Sequence, residues 1–126
     1  MSMNVNAVML IGKQWKLRDI QNAFQNEFPF LKIEFYKPKT KQGSNEKSEK
    51  LNPSLPVITL NSGKVPAEIS IMEDKSVSDI KSVLKEILDC NILIYRKSGN
   101  HWIETSYTED WTLKQQNEEG KLMSEV

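Results

Sequence analysis

The chain has 126 residues, the length of one domain, and its 38% hydrophobic and 27% charged residues exclude a fibrous or wholly disordered protein. The 17 basic and 17 acidic residues cancel, so the net charge gives no attraction to nucleic acid or to an anionic membrane. A single cysteine excludes an intrachain disulfide, and no apolar run is long enough for a membrane span. The amino-terminal segment lacks the basic start of a secretory signal, so we expect a cytoplasmic protein.

The first 36 residues predict a β-α-β unit. Residues 5–11 are largely apolar and predict a strand, and residues 31–36 alternate apolar and polar side chains as a half-buried strand does. Residues 16–28 predict a helix that Pro29 ends, because proline lacks the N–H of the next helical hydrogen bond. Apolar side chains recur along one face of this helix: Leu17, Ile20, Phe24 and Phe28.

The segment that follows changes in character. Residues 38–54 contain almost no apolar side chain and are rich in lysine, so we predict a flexible basic loop inside the domain. Residues 57–60, with the sequence VITL, predict a short strand after this loop.

The second half predicts the same order of elements. Residues 67–72 predict a strand, residues 77–89 an amphipathic helix and residues 91–96 another strand. Ser76 is expected to cap the helix, because an acidic residue follows three positions later, as in a capping box. A Ser-Gly-Asn turn then predicts a hairpin whose second strand covers residues 101–107.

A short helix is predicted near the carboxyl end. Thr112 is followed three residues later by a glutamine, which indicates a capping box, and Gly120 is expected to end the helix. Trp111, just before it, is expected to anchor the segment on the domain. The sequence therefore predicts a single domain over residues 1–120 and a disordered tail over residues 121–126.

A shift of 60 residues superposes the two predicted β-α-β units. Both the helical stripe and the strand alternation coincide, as these pairs illustrate: Ile11 and Ile71, Asp19 and Asp79, Phe24 and Leu84, Ile33 and Leu93, Phe35 and Tyr95. Two amphipathic units of this kind also align by chance, but the β-α-β-β-α-β order stands without the repeat. Such units interleave most simply into a ferredoxin-like antiparallel sheet with two helices on one face. The expected fold class is α+β, with an extra hairpin strand and a short carboxyl-terminal helix.

The alternation of the strands assigns their side chains to two faces of this predicted sheet. Residues expected toward the helices are Ile33, Phe35, Leu93 and Tyr95. Residues expected on the open face are Tyr36, Ile92 and Ile94. Apolar groups on an open face need a cover, which residues 57–60, the segment around Trp111 or a second copy of the chain would provide.

No recognisable catalytic or cofactor-binding pattern occurs. His101 and Cys90 are the only histidine and cysteine, and their separation on predicted elements argues against a nucleophile–base pair or a structural zinc site. Glycine-rich phosphate-binding motifs are absent from the sequence. We therefore expect no catalytic residue, no metal and no cofactor.

Three stretches carry a resemblance: FPFLKIEFYK, RKSGNHWIETS and DWTLKQQNEEG. They resemble segments of small, functionally uncharacterised bacterial proteins, over about residues 8–120 of this chain. The resemblance implies a bacterial, cytoplasmic setting and the same domain limits. It implies no activity and no functional residue.

The sequence leaves the function unknown and favours a non-enzymatic binding or interaction module for a protein partner or a small ligand. The expected partner-binding residues are Tyr36, Ile92, Ile94, Trp102 and Trp111. One alternative is single-stranded nucleic acid, bound by Tyr36 and the lysines of the 38–54 loop, although the acidic carboxyl end would repel phosphate. Another is an enzyme of unfamiliar type that uses His101 with Glu104 or Glu109.

Overall fold

A computed structural model of the protein describes residues 7–38, 49–61 and 64–124. These residues form five strands and four α-helices, which makes the fold α+β. The elements are β1 (Val8–Ile11), α1 (Leu17–Glu27), β2 (Leu31–Tyr36), α2 (Ile58–Asn61), β3 (Ala67–Ser70), α3 (Val77–Leu88), β4 (Asn91–Ser98), β5 (His101–Glu104) and α4 (Leu113–Ser124).

The strands form two antiparallel sheets within the described residues. One sheet pairs β1 with β3, and the other has the order β2-β4-β5. The single ferredoxin-like sheet that the sequence predicts is therefore not confirmed. Each of the first two strands nevertheless pairs with its counterpart in the second half of the chain, so neither half forms its sheets alone.

One hydrophobic core joins the two sheets and the helices. Helix α1 contacts β1 and β2, whereas α3 and α4 contact β4. Phe24 on α1 and Leu84 on α3 are both fully buried, as the repeat predicts for these two positions. Across the β2–β4 ladder, Ile33 lies opposite Ile94 and Phe35 opposite Ile92, and these buried pairs line the core face of the sheet.

The start of each long helix is held by the same backbone contacts in both halves. The N–H of Leu17 donates to the C=O of Leu55 (3.0 Å). In the same way, the N–H of Val77 donates to the C=O of Trp111 (3.2 Å). In the opposite direction, the N–H of Val57 donates to the C=O of Trp15 (2.9 Å), and the N–H of Leu113 donates to the C=O of Lys75 (2.8 Å). In a third equivalent pair, Arg18 donates to Pro53 and Ser78 donates to Glu109 (2.8 Å each). These bonds satisfy helix N–H groups that have no partner within the helix. The internal equivalence thus extends past the β-α-β units to α2 and α4.

Residues 57–60 do not form the predicted strand. Val57 is fully buried and Ile58–Asn61 form the short helix α2, with the N–H of Leu60 bonded to the C=O of Val57 (3.0 Å). The apolar composition of residues 57–60 is typical of a strand, but within them only the backbone of Val57 pairs with the chain at the start of α1.

The predicted face of β4 is inverted. Ile92 and Ile94 are buried in the core, while Leu93 and Tyr95 lie half-buried on the opposite face. Helix α3 is one residue longer than α1, and Asp89, the residue that follows it, has a left-handed backbone (φ 51°). This extra residue shifts the equivalence from 60 to 61 positions, and a one-residue shift reverses every side chain of a strand.

The carboxyl-terminal segment is ordered and packed, but differently from the prediction. Leu113 and Gln116 are fully buried, whereas Trp111 is half-buried with its ring 5.4 Å from the guanidinium carbon of Arg96. Leu113 therefore anchors the segment. Helix α4 continues through Gly120 to Ser124, beyond the predicted domain limit at residue 120.

Part of the predicted 38–54 loop is structured. Residues 39–48 lie outside the described residues. After them, the N–H of Leu51 donates to the C=O of Phe35 (2.8 Å), and Lys50 forms an antiparallel β-bridge with Tyr36. This segment therefore pairs with the edge of β2 that faces away from β4.

We predict that Phe24→Ala and Leu84→Ala each lower the free energy of unfolding by about 2–5 kcal/mol, because both truncations leave a cavity in the core. Val83 on α3 is 39% exposed, so Val83→Ala is the matched control with a much smaller effect. Urea unfolding monitored by circular dichroism measures all three. Equal losses for Leu84→Ala and Val83→Ala would contradict the packing of α3.

Gly120→Ala is predicted to destabilise the protein by roughly 1–3 kcal/mol through overpacking. A Cβ atom at this position would lie 2.9 Å from the Cβ and 3.1 Å from the carbonyl oxygen of Phe30. Elsewhere in a helix the same substitution stabilises by up to about 1 kcal/mol. Glu118→Ala on the exposed side of α4 is the control, and a stabilising Gly120→Ala would show that α4 does not approach Phe30 this closely.

Candidate functional site

The edge of β4 beside β5 is only partly paired. The β4–β5 ladder covers Tyr95 to Ser98, and it ends where both the N–H and the hydroxyl of Thr105 donate to the C=O of Ile94 (3.2 and 2.7 Å). The chain then turns away through a short 3₁₀ segment at Ser106–Thr108. The first residues of β4, from Asn91 to Leu93, therefore present an edge that β5 does not cover.

Helix α3 places a polar stripe beside this edge. Its amphipathic sequence buries Val77, Ile80, Leu84 and Leu88, which leaves a neighbouring stripe at the same helical spacing. The stripe consists of Ser78, Lys81, Ser82 and Lys85. The start of α3 is fixed by its capping box, in which the N–H of Asp79 donates to Oγ of Ser76 (3.0 Å) and the N–H of Ser76 donates to the carboxylate of Asp79 (3.1 Å).

The polar stripe and the open edge of β4 enclose a cleft of about 570 Å³. Its volume lies within the range of pockets that hold small ligands. The lining residues are Tyr36, Ser78, Lys81, Ser82, Lys85, Asn91, Ile92, Leu93 and Glu109.

The charges of the cleft favour an anion. Nζ of Lys81 lies 3.0 Å from Oε2 of Glu109, and the Lys81 side chain is only 21% exposed, so this pair is partly shielded from water. Lys85 is exposed at the cleft rim. Two lysines against one glutamate give the lining a net charge of +1. The hydroxyls of Ser78 and Ser82 add neutral donors and acceptors.

An aromatic surface adjoins the cleft on the sheet face opposite the core, which we call the outer face. The hydroxyls of Tyr36 and Tyr95 share a hydrogen bond of 2.7 Å. Burial, followed by this hydrogen bond, raises the pKa of Tyr95 well above its usual value. Nζ of Lys32 lies 5.0 Å from the ring centroid of Trp102 and 5.6 Å from that of Tyr95, within cation–π range.

The structure places the five predicted partner-binding residues in different surroundings. Tyr36 lines the cleft with its side chain, and Ile92 also borders the cleft although its own side chain is in the core. Ile94 is fully buried. Trp102 lies on the outer face, and Trp111 borders a separate depression on α4.

Neither Cys90 nor His101 lines the cleft. Cys90 is buried, and desolvation, followed by the charge of Asp89, raises the pKa of its thiol to about 11, so the thiol is protonated at neutral pH. His101 is exposed at the start of β5. The described residues contain no cluster of three or more His, Cys, Asp and Glu side chains suited to a metal ion.

The polar stripe of α3 is absent from the residues predicted from the sequence, and Glu109 is predicted there only as a partner of His101 in an enzyme. The stripe is visible in the sequence as a second helical periodicity beside the apolar one, at Ser78, Lys81, Ser82 and Lys85. Glu109 carries no comparable signal, because only the tertiary turn after β5 brings it to α3.

Comparison with protein-family models, with curated proteins and with solved structures gives no match. The resemblance to small bacterial proteins therefore stays a prediction. None of the helices in the described part of the chain combines the length and the apolar character needed to cross a membrane.

The raised thiol pKa predicts a pH dependence of stability. Because the pKa of Cys90 is higher in the folded than in the unfolded protein, its contribution is fully present below the unfolded pKa and is lost as pH rises through the folded one. The stability difference between wild type and Cys90→Ala should therefore shrink from about pH 9 to about pH 11. Urea unfolding of both proteins across this interval measures it, and a constant difference would show that the thiol is not shielded.

Proposed function

We propose that the protein is a non-enzymatic binding module whose ligand site is the cleft between α3 and the open edge of β4. The ligand class that fits is an anion, such as a carboxylate on a small molecule or on a protein partner. The cytoplasmic setting expected from the sequence belongs to this proposal.

The observation that carries the proposal is the position of two lysines beside the part of the β4 edge that β5 does not cover. Lys81 is held partly buried by Glu109, so its ammonium is fixed in place before a ligand arrives, while Lys85 is free to follow the ligand. Interactions between charges strengthen where water is partly excluded. Tyr36 and Leu93 supply apolar surface to the same cleft.

The side chains of the cleft support binding rather than catalysis. Covalent catalysis needs a nucleophile within hydrogen-bond reach of a base. In the described residues neither the Ser78 nor the Ser82 hydroxyl is hydrogen-bonded to the lysines or the glutamate of the cleft. The ammonium of Lys81 bonds Glu109 instead, and the only histidine of the sequence lies outside the cleft. The buried, protonated thiol of Cys90 is a poor nucleophile.

Single-stranded nucleic acid on the outer face is the second candidate. Tyr36, Tyr95 and Trp102 lie on that face and would stack bases. However, Lys32 already covers the rings of Tyr95 and Trp102, and it is paired with Glu34 at 3.5 Å. A steep loss of oligonucleotide binding with salt would support this candidate over the first.

The proposal predicts that Lys85→Glu weakens the binding of an anion in the cleft by roughly tenfold or more, because an attractive charge becomes a repulsive one. Glutarate, inorganic phosphate and a short acidic peptide are suitable probes, titrated while the backbone amide signals of residues 91–93 are followed by NMR. Lys114→Glu, an exposed reversal at the start of α4, is the matched control and should bind as wild type does. If none of the three probes shifts these signals, the proposed site is wrong.

A further inference from the structure

The cleft borders main-chain groups of β4 as well as side chains. Along an antiparallel strand such as β4, successive residues direct their N–H and C=O groups alternately to the neighbour on one side and to the neighbour on the other. The C=O of Phe35 points away from β4, because it accepts from the N–H of Leu51. Ile92 lies opposite Phe35 in the ladder and therefore directs its own N–H and C=O away from β2. These two groups face the cleft, and no backbone partner for either is found in the described residues.

The first half of the chain shows the same edge in a closed state. By the 61-residue equivalence, Leu31 corresponds to Ile92 and Ile33 to Ile94. The N–H of Leu31 donates to the C=O of Phe28 (3.0 Å). Nε2 of Gln21 reaches from α1 to the C=O of Ile33 (2.8 Å) and to the carboxylate of Glu34 (3.1 Å). The chain itself therefore closes the gap between α1 and the edge of β2.

At the position of Ile33 the two halves agree, because the C=O of its counterpart Ile94 accepts from Thr105. They differ at Ile92, since no bond in the described residues corresponds to the one from Leu31 to Phe28.

The two halves also differ on the helix. The counterpart of Gln21 on α3 is Lys81, whose ammonium bonds Glu109. Glu109 is the counterpart of Pro53, because the C=O of Glu109 accepts from Ser78 as the C=O of Pro53 accepts from Arg18. Proline has no carboxylate, so the first half offers no group equivalent to the Glu109 side chain. The backbone at Ile92 and the Lys81–Glu109 pair are therefore specific differences between the halves and not requirements of the fold.

The main-chain groups at Ile92 need a partner with a matching pattern. Ile92 is only 4% exposed, and a shielded N–H without an acceptor costs free energy, so a ligand that offers an acceptor there gains affinity. In an extended peptide, every second residue directs its N–H and its C=O to the same side of the strand. Its acidic side chain would meet Lys81 or Lys85, where a basic side chain would be repelled.

We propose that the cleft binds an extended peptide with an acidic side chain, which adds as a short strand to β4 at Ile92, end to end with β5. This is strand addition to a sheet edge, in which main-chain bonds give affinity and side chains give selectivity. The inference rests on the proposed function, since it names the class of anion that the same cleft takes.

The probes are acetyl-Val-Glu-Val-Glu-Val-amide, the peptide with lysine in place of both glutamates, and glutarate, titrated into the full chain by NMR. Two further peptides carry N-methyl groups, one at the central valine and one at both glutamates. Because alternate residues of a strand face β4, only one of these methylated peptides should bind about tenfold more weakly than the parent. The lysine peptide should bind at least tenfold more weakly as well.

The outcomes separate the two proposals. If both methylated peptides bind like the parent, or if glutarate binds as tightly as the parent peptide, strand addition is wrong while anion binding in the cleft stands. If neither glutarate, phosphate nor the acidic peptide shifts the signals of residues 91–93, both proposals are wrong. Equal binding of the lysine peptide and the acidic peptide overturns the charge selectivity on which both depend.

Discussion

The exchange of strands between the two halves of the chain is the constraint on which the structure depends. β1 pairs with β3, and β2 pairs with β4, so every sheet contains strands from both halves. The buried pairs across the β2–β4 ladder, Ile33 with Ile94 and Phe35 with Ile92, form the centre of the core that both long helices cover. A half folded alone would leave these side chains in water and the strand edges unpaired, so the halves are expected to fold as one cooperative unit.

The backbone bonds at the helix starts then fix each helix on this framework. They tie α1 to residues 53–57 and α3 to residues 109–113 in the same pattern, although the intervening chain differs in length and composition. In the second half, the same segment carries Glu109, so the contact that orders the start of α3 also delivers the acidic partner of Lys81. The position of the cleft is thus a direct consequence of how the helix is anchored.

The sequence predicts the order of the long elements well, because apolar periodicity fixes which face of α1 and α3 is buried: Phe24 and Leu84 lie where their spacing puts them. The prediction from the sequence is wrong where a single residue or a single tertiary contact determines the local structure. The extra residue at Asp89 reverses the face of β4, which moves Tyr95 outward and Ile94 inward. Residues 57–60 have the composition of a strand and form a helix, since their backbone pairs only at Val57. The cleft was predictable only in part, through the stripe of α3, because the open edge depends on where Thr105 ends the hairpin.

The differences between two equivalent halves indicate which features serve the fold and which do not. Features present in both, such as the carboxylates of Asp19 and Asp79 bonded to the N–H before each helix, are sufficiently explained by helix stability. The N–H of Leu31, the equivalent of Ile92, is bonded to the C=O of Phe28, and the framework tolerates this bond, so stability alone does not account for its lack of a counterpart at Ile92 in the described residues. Within the described part of the chain the N–H of Ile92 has no backbone partner and Lys81 is held partly buried, and both features cost free energy. Local departures of this kind, in an otherwise consistent fold, are expected at functional sites. The second half of the chain, and not the first, is therefore where the ligand site is expected.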